Sequence, residues 1–529
     1  MTIQKSATGK EPKVEKINVS AKIIADISSG IYRTPANALK ELISNSFDAD
    51  ATRVIINTGY PQFDVITCSD DGEGMDKEGF IKYMGHIGGS FKRKGGRDFT
   101  RLGRPIIGKI GIGILGIAQI CRKFTVISSK GNGKKFEATI DLKDFHTDDA
   151  YKKNIGDINI GTYVPYELPE KRGRHYTKII LEEIKDGFKN KLIESENRDK
   201  VVLDYKHGRK KNLDPKRFEW FVERLNGRER IRDLTEYERL TWELSSTIPV
   251  RYLDDGPIGG WDGLKGIRDK LKDFNFSVVM DGLELKKPVL FPTDERIKKR
   301  GVDYKIYDDI GFDEEVDGSR LKFKGYIFYQ RTRILPPELQ GILVRIKNVA
   351  IGFYDKSFLN YPKPEGPMMA QVSVEIYIEE GLEDALNIDR NSFSESDRHF
   401  LKLQEVLFDR LGGKEGVFPD IRRISRERML AERNKEEVRE YYKLQKIIRK
   451  VIGKDFTIVK RNQKNKKPIK VDLKNLRVII YENPIFPRKK GERRYLERIL
   501  ISLELANLQT SSKRELYEKF YDLISKKLL

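Results

Sequence analysis

Cysteine and histidine are scarce in this chain, which holds two cysteines and five histidines among 529 residues. Cys68 and Cys121 are too few for a disulfide framework or for a cysteine metal cluster. This usage is typical of a protein that works in a reducing cytosol.

Long hydrophobic runs are also missing. The most apolar stretch, IIGKIGIGILGIAQIC from Ile106, is interrupted by glycines and a lysine and is too short to span a bilayer. The first twenty residues contain no apolar signal core. We therefore expect a cytoplasmic protein, or a nucleoid-associated or nuclear one.

Acidic residues become scarce only toward the end of the chain. The formal net charge is +21, and residues 421–529 hold 31 Lys and Arg against 14 Asp and Glu, a net of +17. A local excess of this sign favours polyanionic partners, with nucleic acid first and an anionic membrane surface second. A solubilising tail is the alternative interpretation.

Residues 34–50, TPANALKELISNSFDAD, predict an amphipathic helix with Thr34 as its N-cap. Spacings of four and seven return to nearly the same azimuth, so Glu41, Asn45 and Asp48 share one stripe. Polar groups in line on such a helix suggest a site, although most polar helical stripes are solvated faces. The predicted packing side consists of Leu39, Leu42, Ile43 and Phe47.

The order of predicted elements favours α/β (α+β) architecture. Strand-like runs such as FTVISS and FEATIDL alternate with helices in the first third, which predicts a two-layer α/β sandwich with an antiparallel sheet. We predict an N-terminal arm at 1–20, the sandwich at 21–183, a helical connector at 184–249, a second α/β domain at 250–415 and a basic mixed helical and strand region at 416–529.

Three short motifs occur in order along the first of these domains. They are E-x-x-x-N-x-x-D-A, D-x-G-x-G followed by methionine, and G-x-x-G-x-G. Each alone is weak, because an acidic D-G loop is usually a plain turn and a glycine triplet is often only tight packing. Together, in this order, they are strong evidence for a nucleotide site. Their members are Glu41, Asn45, Asp48; Asp70, Gly72, Gly74, Met75; and Gly108, Gly111, Gly113.

With these motifs the chain resembles the GHKL ATPases, which comprise gyrase B subunits, ninety-kilodalton heat-shock chaperones, MutL-type mismatch-repair proteins, MORC proteins and histidine kinases. HYTKIILEEI also resembles the late threonine strand of that family, with Thr177 as the threonine and Tyr176 in place of the usual glycine. The resemblance covers about residues 20–183. It implies a Bergerat-type sandwich that binds ATP and Mg²⁺.

The chemistry of hydrolysis assigns expected roles to the polar residues. Glu41 is the candidate general base, and Asn45 offers a carbonyl oxygen to Mg²⁺. Asp48 is expected to support the adenine end. The resemblance implies that Asp70 accepts a hydrogen bond from the adenine amino group.

The glycines and their neighbours are expected to contact the rest of the nucleotide. Gly74 would let the backbone approach the ring, on which Met75 would pack. The glycines of the third motif would free backbone N–H groups at a helix start, where phosphate binds. GHIGGSFKRKGGRDFTRLGRP resembles the ATP lid of the family, in which Ser90 and Lys92 match its hydroxyl and lysine pattern.

A further resemblance lies in the second domain. LEDALNIDRNSF is similar to the chaperone stretch that delivers a cation to the γ-phosphate, and here that cation is Arg390. A guanidinium suits the charge of a transferring phosphoryl group, although an ordinary turn arginine is the alternative. The resemblance implies that 250–415 is an S5-like transducer.

These features predict a slow, Mg-dependent ATPase that acts as a homodimeric clamp, with 1–20 as an exchanged arm and 421–529 gripping nucleic acid. A ninety-kilodalton-type chaperone and a type-IIB topoisomerase-like subunit that needs a partner chain are the rival hypotheses. A separate effector or nuclease partner is also compatible. A histidine kinase is disfavoured, because none of the five histidines has a phosphoacceptor context.

Overall fold

The computed structural model describes residues 15–20, 35–84, 99–107, 113–142, 157–193, 234–253, 275–363, 365–387, 391–508 and 510–523. The chain divides into two compact units, Met1–Phe418 and Pro419–Leu529, which are described separately. Helices and sheets of mixed direction alternate in both, so the predicted α/β class is confirmed. No helix in these ranges is long and apolar enough to cross a membrane.

The first unit begins with a nine-stranded sheet in the order β1-β6-β5-β4-β7-β3-β2-β8-β9. Neighbours pair antiparallel except β2 and β8, which are parallel. The strands are β1 (Glu15–Ser20), β2 (Arg53–Asn57), β3 (Ile66–Asp70), β4 (Cys121–Lys130), β5 (Lys134–Leu142), β6 (Asp157–Pro169), β7 (His175–Ile184), β8 (Ser277–Met280) and β9 (Leu283–Glu284).

One face of this sheet is covered by helices whose apolar sides form the core. The helices are α1 (Pro35–Asp48), α2 (Lys77–Met84) and α3 (Glu236–Thr247), with a 3-10 helix at Gly113–Gln119. The predicted packing side of α1 is buried, because Leu39, Leu42, Ile43 and Phe47 are each at most 2% exposed. A capping box between Thr235 and Glu238 fixes the start of α3, which packs against α1.

A five-stranded sheet forms the second half of the first unit, in the order β10-β11-β14-β12-β13. Its strands are β10 (Tyr304–Val316), β11 (Ser319–Gln330), β12 (Gly341–Ile346), β13 (Val349–Asp355) and β14 (Val372–Glu380), and its helices are α4 (Glu295–Arg300) and α5 (Arg398–Gly412). The domain boundary predicted at 250 does not coincide with the change of sheet. β8 and β9 lie beyond it in sequence yet complete the first sheet.

A buried ion pair joins α3 to the second sheet. The guanidinium of Arg345 lies 2.9 Å from the Glu375 carboxylate, with both side chains at most 1% exposed. Arg345 also donates to the Ser246 carbonyl at 2.9 Å. The hydroxyls of Tyr252, Tyr354 and Tyr377 donate to the same carboxylate, so α3 is tied to β12 and β14 through one acid.

The second unit is a small α/β module. It contains most of the long helix α6 (Val417–Ile452), strands β15 (Thr457–Lys464), β16 (Ile469–Asp472) and β17 (Arg477–Glu482), and helices α7 (Lys490–Asn507) and α8 (Lys513–Leu523). β17 is central, parallel to β15 and antiparallel to β16. For KRNQKNKKPIK the sequence predicts a flexible or strand-flanking basic loop, and the structure places a short loop there between the end of β15 and the start of β16. A cluster of buried residues that includes Ile448, Val478 and Ile501 forms the hydrophobic core of the second unit.

Candidate functional site

Helix α1 carries the predicted polar stripe of Glu41, Asn45 and Asp48. Glu41 is 8% exposed, while Asn45 and Asp48 are half-buried. The apolar side of α1 packs into the hydrophobic core. This packing fixes the orientation of the helix and therefore the side on which the three polar residues lie. A carboxylate and an amide one turn apart on a buried helix can orient a water molecule and a cation.

Asp48 lies against the segment that leads into the glycine run. Its Oδ1 accepts a hydrogen bond from the Ile107 backbone N–H at 2.7 Å. The carboxylate therefore holds the residue that directly precedes Gly108. Its expected support of the adenine end stays a prediction.

Asp70 ends β3 and lies against α1. Its Oδ2 accepts from the Ser46 hydroxyl at 2.8 Å, and its Oδ1 accepts from the Gly72 N–H at 3.0 Å. Burial raises the pKa of the Asp70 carboxyl above its ordinary value, and these two hydrogen bonds offset part of that rise. A buried carboxylate with fixed oxygens is suited to recognise one donor group of a ligand.

The D-x-G-x-G loop is pressed between the end of α1 and strand β4. The Glu73 N–H donates to the Ala49 carbonyl at 2.8 Å. Gly74 has φ +63°, and a Cβ there would lie 2.0 Å from the Ser129 carbonyl oxygen. Glycine is therefore required at 74 by this close approach to the sheet, and its expected approach to a base stays a prediction. Gly72 is equally confined, because its Cβ would meet the Ala49 carbonyl oxygen at 2.7 Å.

Thr177 joins this loop through the sheet register. It stands opposite Asp70 in the β3–β7 pair and opposite Ser128 in the β4–β7 pair. The Thr177 and Ser128 hydroxyls are 3.0 Å apart, and the Met75 N–H donates to Ser128 at 2.9 Å. The second motif and the late threonine strand therefore meet helix α1, which carries the first motif, at the place where β3 ends.

A buried arginine that was not predicted from the sequence closes the C-terminal end of α1. Arg104 is 2% exposed and donates to the carbonyls of Ala51 at 2.6 Å and Phe47 at 3.3 Å. Its guanidinium lies 4.9 Å from the centre of the Phe47 ring. Asp50 accepts from the Thr100 hydroxyl and from the Leu102 N–H. Residues 99–107 are therefore fastened to the end of the helix that carries the site.

Two lysines connect the site helix and the glycine run to the second sheet. Lys40 of α1 donates to the Ala350 carbonyl of β13 at 2.8 Å. Lys347, at the tip of the β12–β13 hairpin, donates to the Ile106 carbonyl at 3.0 Å and lies 3.3 Å from Glu383. Lys347 and Asn348 both have positive φ, as a tight hairpin turn requires. The pair Lys-Asn between two apolar runs is the sequence feature from which this turn could have been predicted.

Several predicted site residues lie outside the described ranges. These are Ser90, Lys92, Gly108, Gly111 and Arg390. Gly113 is described and begins the 3-10 helix Gly113–Gln119. The expected helix at the third motif is thus present in the tighter form where the structure describes it.

The donor set fits an adenine nucleotide with a hard cation. Asp70 is a buried acceptor whose oxygens are aimed by Ser46 and Gly72. Asn45 offers an oxygen ligand of the kind that Mg²⁺ accepts when phosphates supply the others, and Glu41 places a carboxylate one helical turn away for the attacking water. Such a site needs no cluster of acidic ligands, and no group of three or more His, Cys, Asp or Glu that could hold a metal occurs in the described part of the chain.

Comparisons with known proteins bear on the same region. Residues 32–164 match the family described as histidine kinase-, DNA gyrase B-, and HSP90-like ATPase. The chain is 32% identical over 177 residues to a candidate type II restriction enzyme, HgiDII, of Herpetosiphon aurantiacus, which covers 33% of this chain and 27% of that protein. It is 27% identical over 156 residues to the DNA mismatch repair protein MutL of Wolbachia sp. subsp. Brugia malayi (strain TRS), and the aligned region covers 29% of this chain and 22% of that protein. The chain thus spans about a quarter of the length of these curated relatives.

Proposed function

We propose that this chain binds and hydrolyses ATP through residues 32–164, which match the histidine kinase-, DNA gyrase B-, and HSP90-like ATPase family, and that it uses the nucleotide to control a grip on DNA. The observation that carries the ATPase half is the convergence of Asp70, Ser46 and Thr177 with helix α1. The DNA half is supported by the +17 charge of residues 421–529 and by the DNA-related names of both relatives.

In this proposal the residues of α1 and β3 divide the chemistry. Asp70 accepts a hydrogen bond from the adenine amino group. Glu41 orients the attacking water and takes its proton as the water oxygen bonds to the γ-phosphorus and the bond from that phosphorus to ADP breaks. Mg²⁺, when bound, would neutralise phosphate charge and would take the Asn45 carbonyl oxygen as a protein ligand. Asp48 acts indirectly, because it holds Ile107 ahead of the glycine run.

The second sheet is proposed to act as the transducer of the nucleotide state. Lys347 and Lys40 already contact the two elements that would bracket the phosphates, the segment before Gly108 and helix α1. A change at the phosphates therefore has a direct route to β12 and β13. Arg390 stays a candidate for a second cation from this region.

Dimerisation and partners are proposed from the family. Residues 15–20 form the edge strand β1 on the sheet of their own chain, paired with β6. An exchanged arm would thus be anchored by β1 and would comprise the residues before it. A separate nuclease or effector partner is a further proposal, because the chain spans only part of a relative that is named as a restriction enzyme.

The experiment that tests the ATPase half compares Glu41→Ala with Asp70→Ala. Glu41→Ala should bind ATP with near-normal affinity in calorimetry but hydrolyse it at least about a hundredfold more slowly, which is the range of general-base catalysis. Asp70→Ala should lose binding. The exposed Glu78→Ala on α2 serves as the matched control and should change neither quantity. Normal turnover in Glu41→Ala would refute the proposed base.

The ATPase rate should be measured with duplex DNA, single strands, RNA and an unfolded protein. Stimulation by DNA that falls with added salt supports the clamp, since phosphate contacts release counterions. Stimulation by unfolded protein alone would favour the chaperone hypothesis instead.

A further inference from the structure

The cations of the second unit differ sharply in whether they have acidic partners. Several of those on its helices are paired, among them Arg423 to Glu427, Lys443 to Glu440, Arg449 to Asp455 and Arg514 to Glu518. By contrast, residues 460–470 contain six cations and no acid. Four of these are exposed and have no acidic partner in the described part of the chain: Arg461, Lys464, Lys466 and Lys467. We call these four residues the cation strip.

The cation strip is built on ordered backbone. Arg461 and Lys464 belong to β15, and the segment between them contains a bulge, since they face the consecutive residues Tyr481 and Glu482. The loop that follows is held by the Asn483 amide, which donates to the Asn465 carbonyl at 2.6 Å and to the Lys466 carbonyl at 3.3 Å. The Tyr481 N–H donates to the Pro468 carbonyl at 2.9 Å. The lysines therefore project from a fixed support.

The chemistry of the strip selects its partner. Unpaired ammonium and guanidinium groups on a rigid edge attract a regular array of anions, and each neutralised phosphate releases counterions. Residues 457–472 contain no aromatic side chain, so the strip lacks the stacking surface on which single-stranded bases bind. Lysines at exposed positions contact phosphates without reading base sequence.

We propose that the cation strip is the surface that binds the phosphate backbone of double-stranded DNA, without sequence preference. This inference rests on the proposed function and specifies where and how that DNA is gripped. The competing explanation is that lysines on the edge strand β15 only prevent strands of two copies from pairing.

The test replaces all four strip cations by glutamine and compares this variant with one in which Arg423, Lys443, Arg449 and Arg514 are replaced by glutamine. Both full-length variants lose four positive charges. Binding to a mixed-sequence duplex is measured by fluorescence anisotropy at several salt concentrations. If the strip makes four phosphate contacts, its removal lowers the slope of log affinity against log salt by about 3.6 and weakens binding at least about tenfold at low salt. The control variant should keep most of the slope.

A second variant changes no charge. Asn483→Ala releases the loop that carries Lys466 and Lys467, and it should weaken duplex binding about two- to tenfold because the side chains are no longer pre-organised. Basal ATPase activity should be unchanged in all three variants, which checks the first unit, and an unchanged thermal transition of the second unit checks that the altered module is folded.

Four outcomes would overturn the inference. Equal losses in the strip and control variants would show that only net charge matters. Unchanged binding by the strip variant, with self-association in its place, would establish the edge-protection explanation and leave DNA binding to another surface. Tighter competition by a single strand of equal length would reject the duplex as partner. Failure of the wild-type protein to bind any duplex would remove the DNA half of the proposed function as well.

Discussion

Asp70 is a carboxyl group whose burial has two opposite consequences. Burial raises its pKa, so at neutral pH the folded protein holds a poorly solvated charge. Between its ordinary pKa of 3.8 and the raised one, the folded state binds a proton that the unfolded chain has lost. The contribution of Asp70 to stability therefore falls as pH rises through that interval.

We expect Asp70→Asn to keep or increase the stability of the nucleotide-free protein at pH 8. The amide has the shape of the carboxyl, and its oxygen can still accept from Gly72. Thermal unfolding at pH 5 and pH 8 checks this, and the difference between wild type and variant should shift in favour of the variant at pH 8. A variant destabilised at both pH values would mean that the charge itself supports the fold.

The same substitution should reduce nucleotide affinity. If Asp70 accepts from adenine, replacing it by an amide costs a hydrogen bond to a charged group, which corresponds to a loss of roughly ten- to a hundredfold. Wild-type affinity should itself decline as pH is lowered through the raised pKa. Calorimetric titration with ATP and with GTP at both pH values measures this, and equal affinities of wild type and Asp70→Asn for ATP would refute the contact.

The sequence predicted the positions of single residues more successfully than the contacts that these residues make. The spacing of Glu41, Asn45 and Asp48 placed them on one face of a helix, because helical periodicity is a local property. Ser46, Ser128 and Lys347 were missed, since their contacts join residues far apart in the chain. No local pattern distinguishes such a serine or lysine from a solvated one.

Among the elements, helix α1 depends on Arg104 for its C-terminal end. We expect Arg104→Met to destabilise the first unit by about 2–3 kcal/mol, because the buried carbonyls of Phe47 and Ala51 lose their charged donor. Hydrogen exchange of residues 35–51, together with the first thermal transition, measures the effect. Arg101→Met is the control, since Arg101 is exposed and pairs with Glu73 at the surface. Similar losses in both variants would contradict the role given to Arg104.

The second sheet depends on Glu375 in a comparable way. Glu375→Gln leaves Arg345 buried with a neutral partner and weakens the bonds from three tyrosines, so we expect a loss of about 3–5 kcal/mol in the free energy of unfolding. Glu379→Gln on the same strand removes partly exposed pairs with Lys322 and Lys324 and should cost less than about 1 kcal/mol. Denaturant unfolding followed by tyrosine fluorescence measures both. A smaller loss for Glu375→Gln than for Glu379→Gln would show that the buried pair is dispensable.

Most individual elements were predictable, because the alternation typical of strands and the periodicity typical of helices can be recognised within a short stretch of sequence. The predicted helix at 34–50 is α1, and runs such as FTVISS and FEATIDL lie in β4 and β5. The order of the strands was not predictable, since β8 is separated from β2 by more than two hundred residues. Its four residues carry no mark of the sheet to which they belong.

Across the first unit, we propose that Lys347 couples the nucleotide site to the second sheet. We expect Lys347→Ala to reduce ATP turnover about five- to twentyfold while changing ATP affinity less than about threefold, because one partly buried hydrogen bond to the Ile106 carbonyl is lost and the adenine contacts are untouched. The exposed Lys356→Ala on the neighbouring turn should leave both unchanged. Steady-state kinetics with calorimetry separates the two quantities. A loss confined to affinity would show that Lys347 acts on binding rather than on coupling.

The parallel pairing of β2 with β8 has a practical consequence for anyone who divides this protein. A shortened ATPase fragment that stops at residue 250 would expose the hydrogen-bonding edge of β2 to solvent and to other copies, and it should precipitate. A single cut by a protease between residues 193 and 234 would have the opposite result. The two pieces would stay associated through the strand pairing of the nine-stranded sheet, and they would elute as a single species until a denaturant is added.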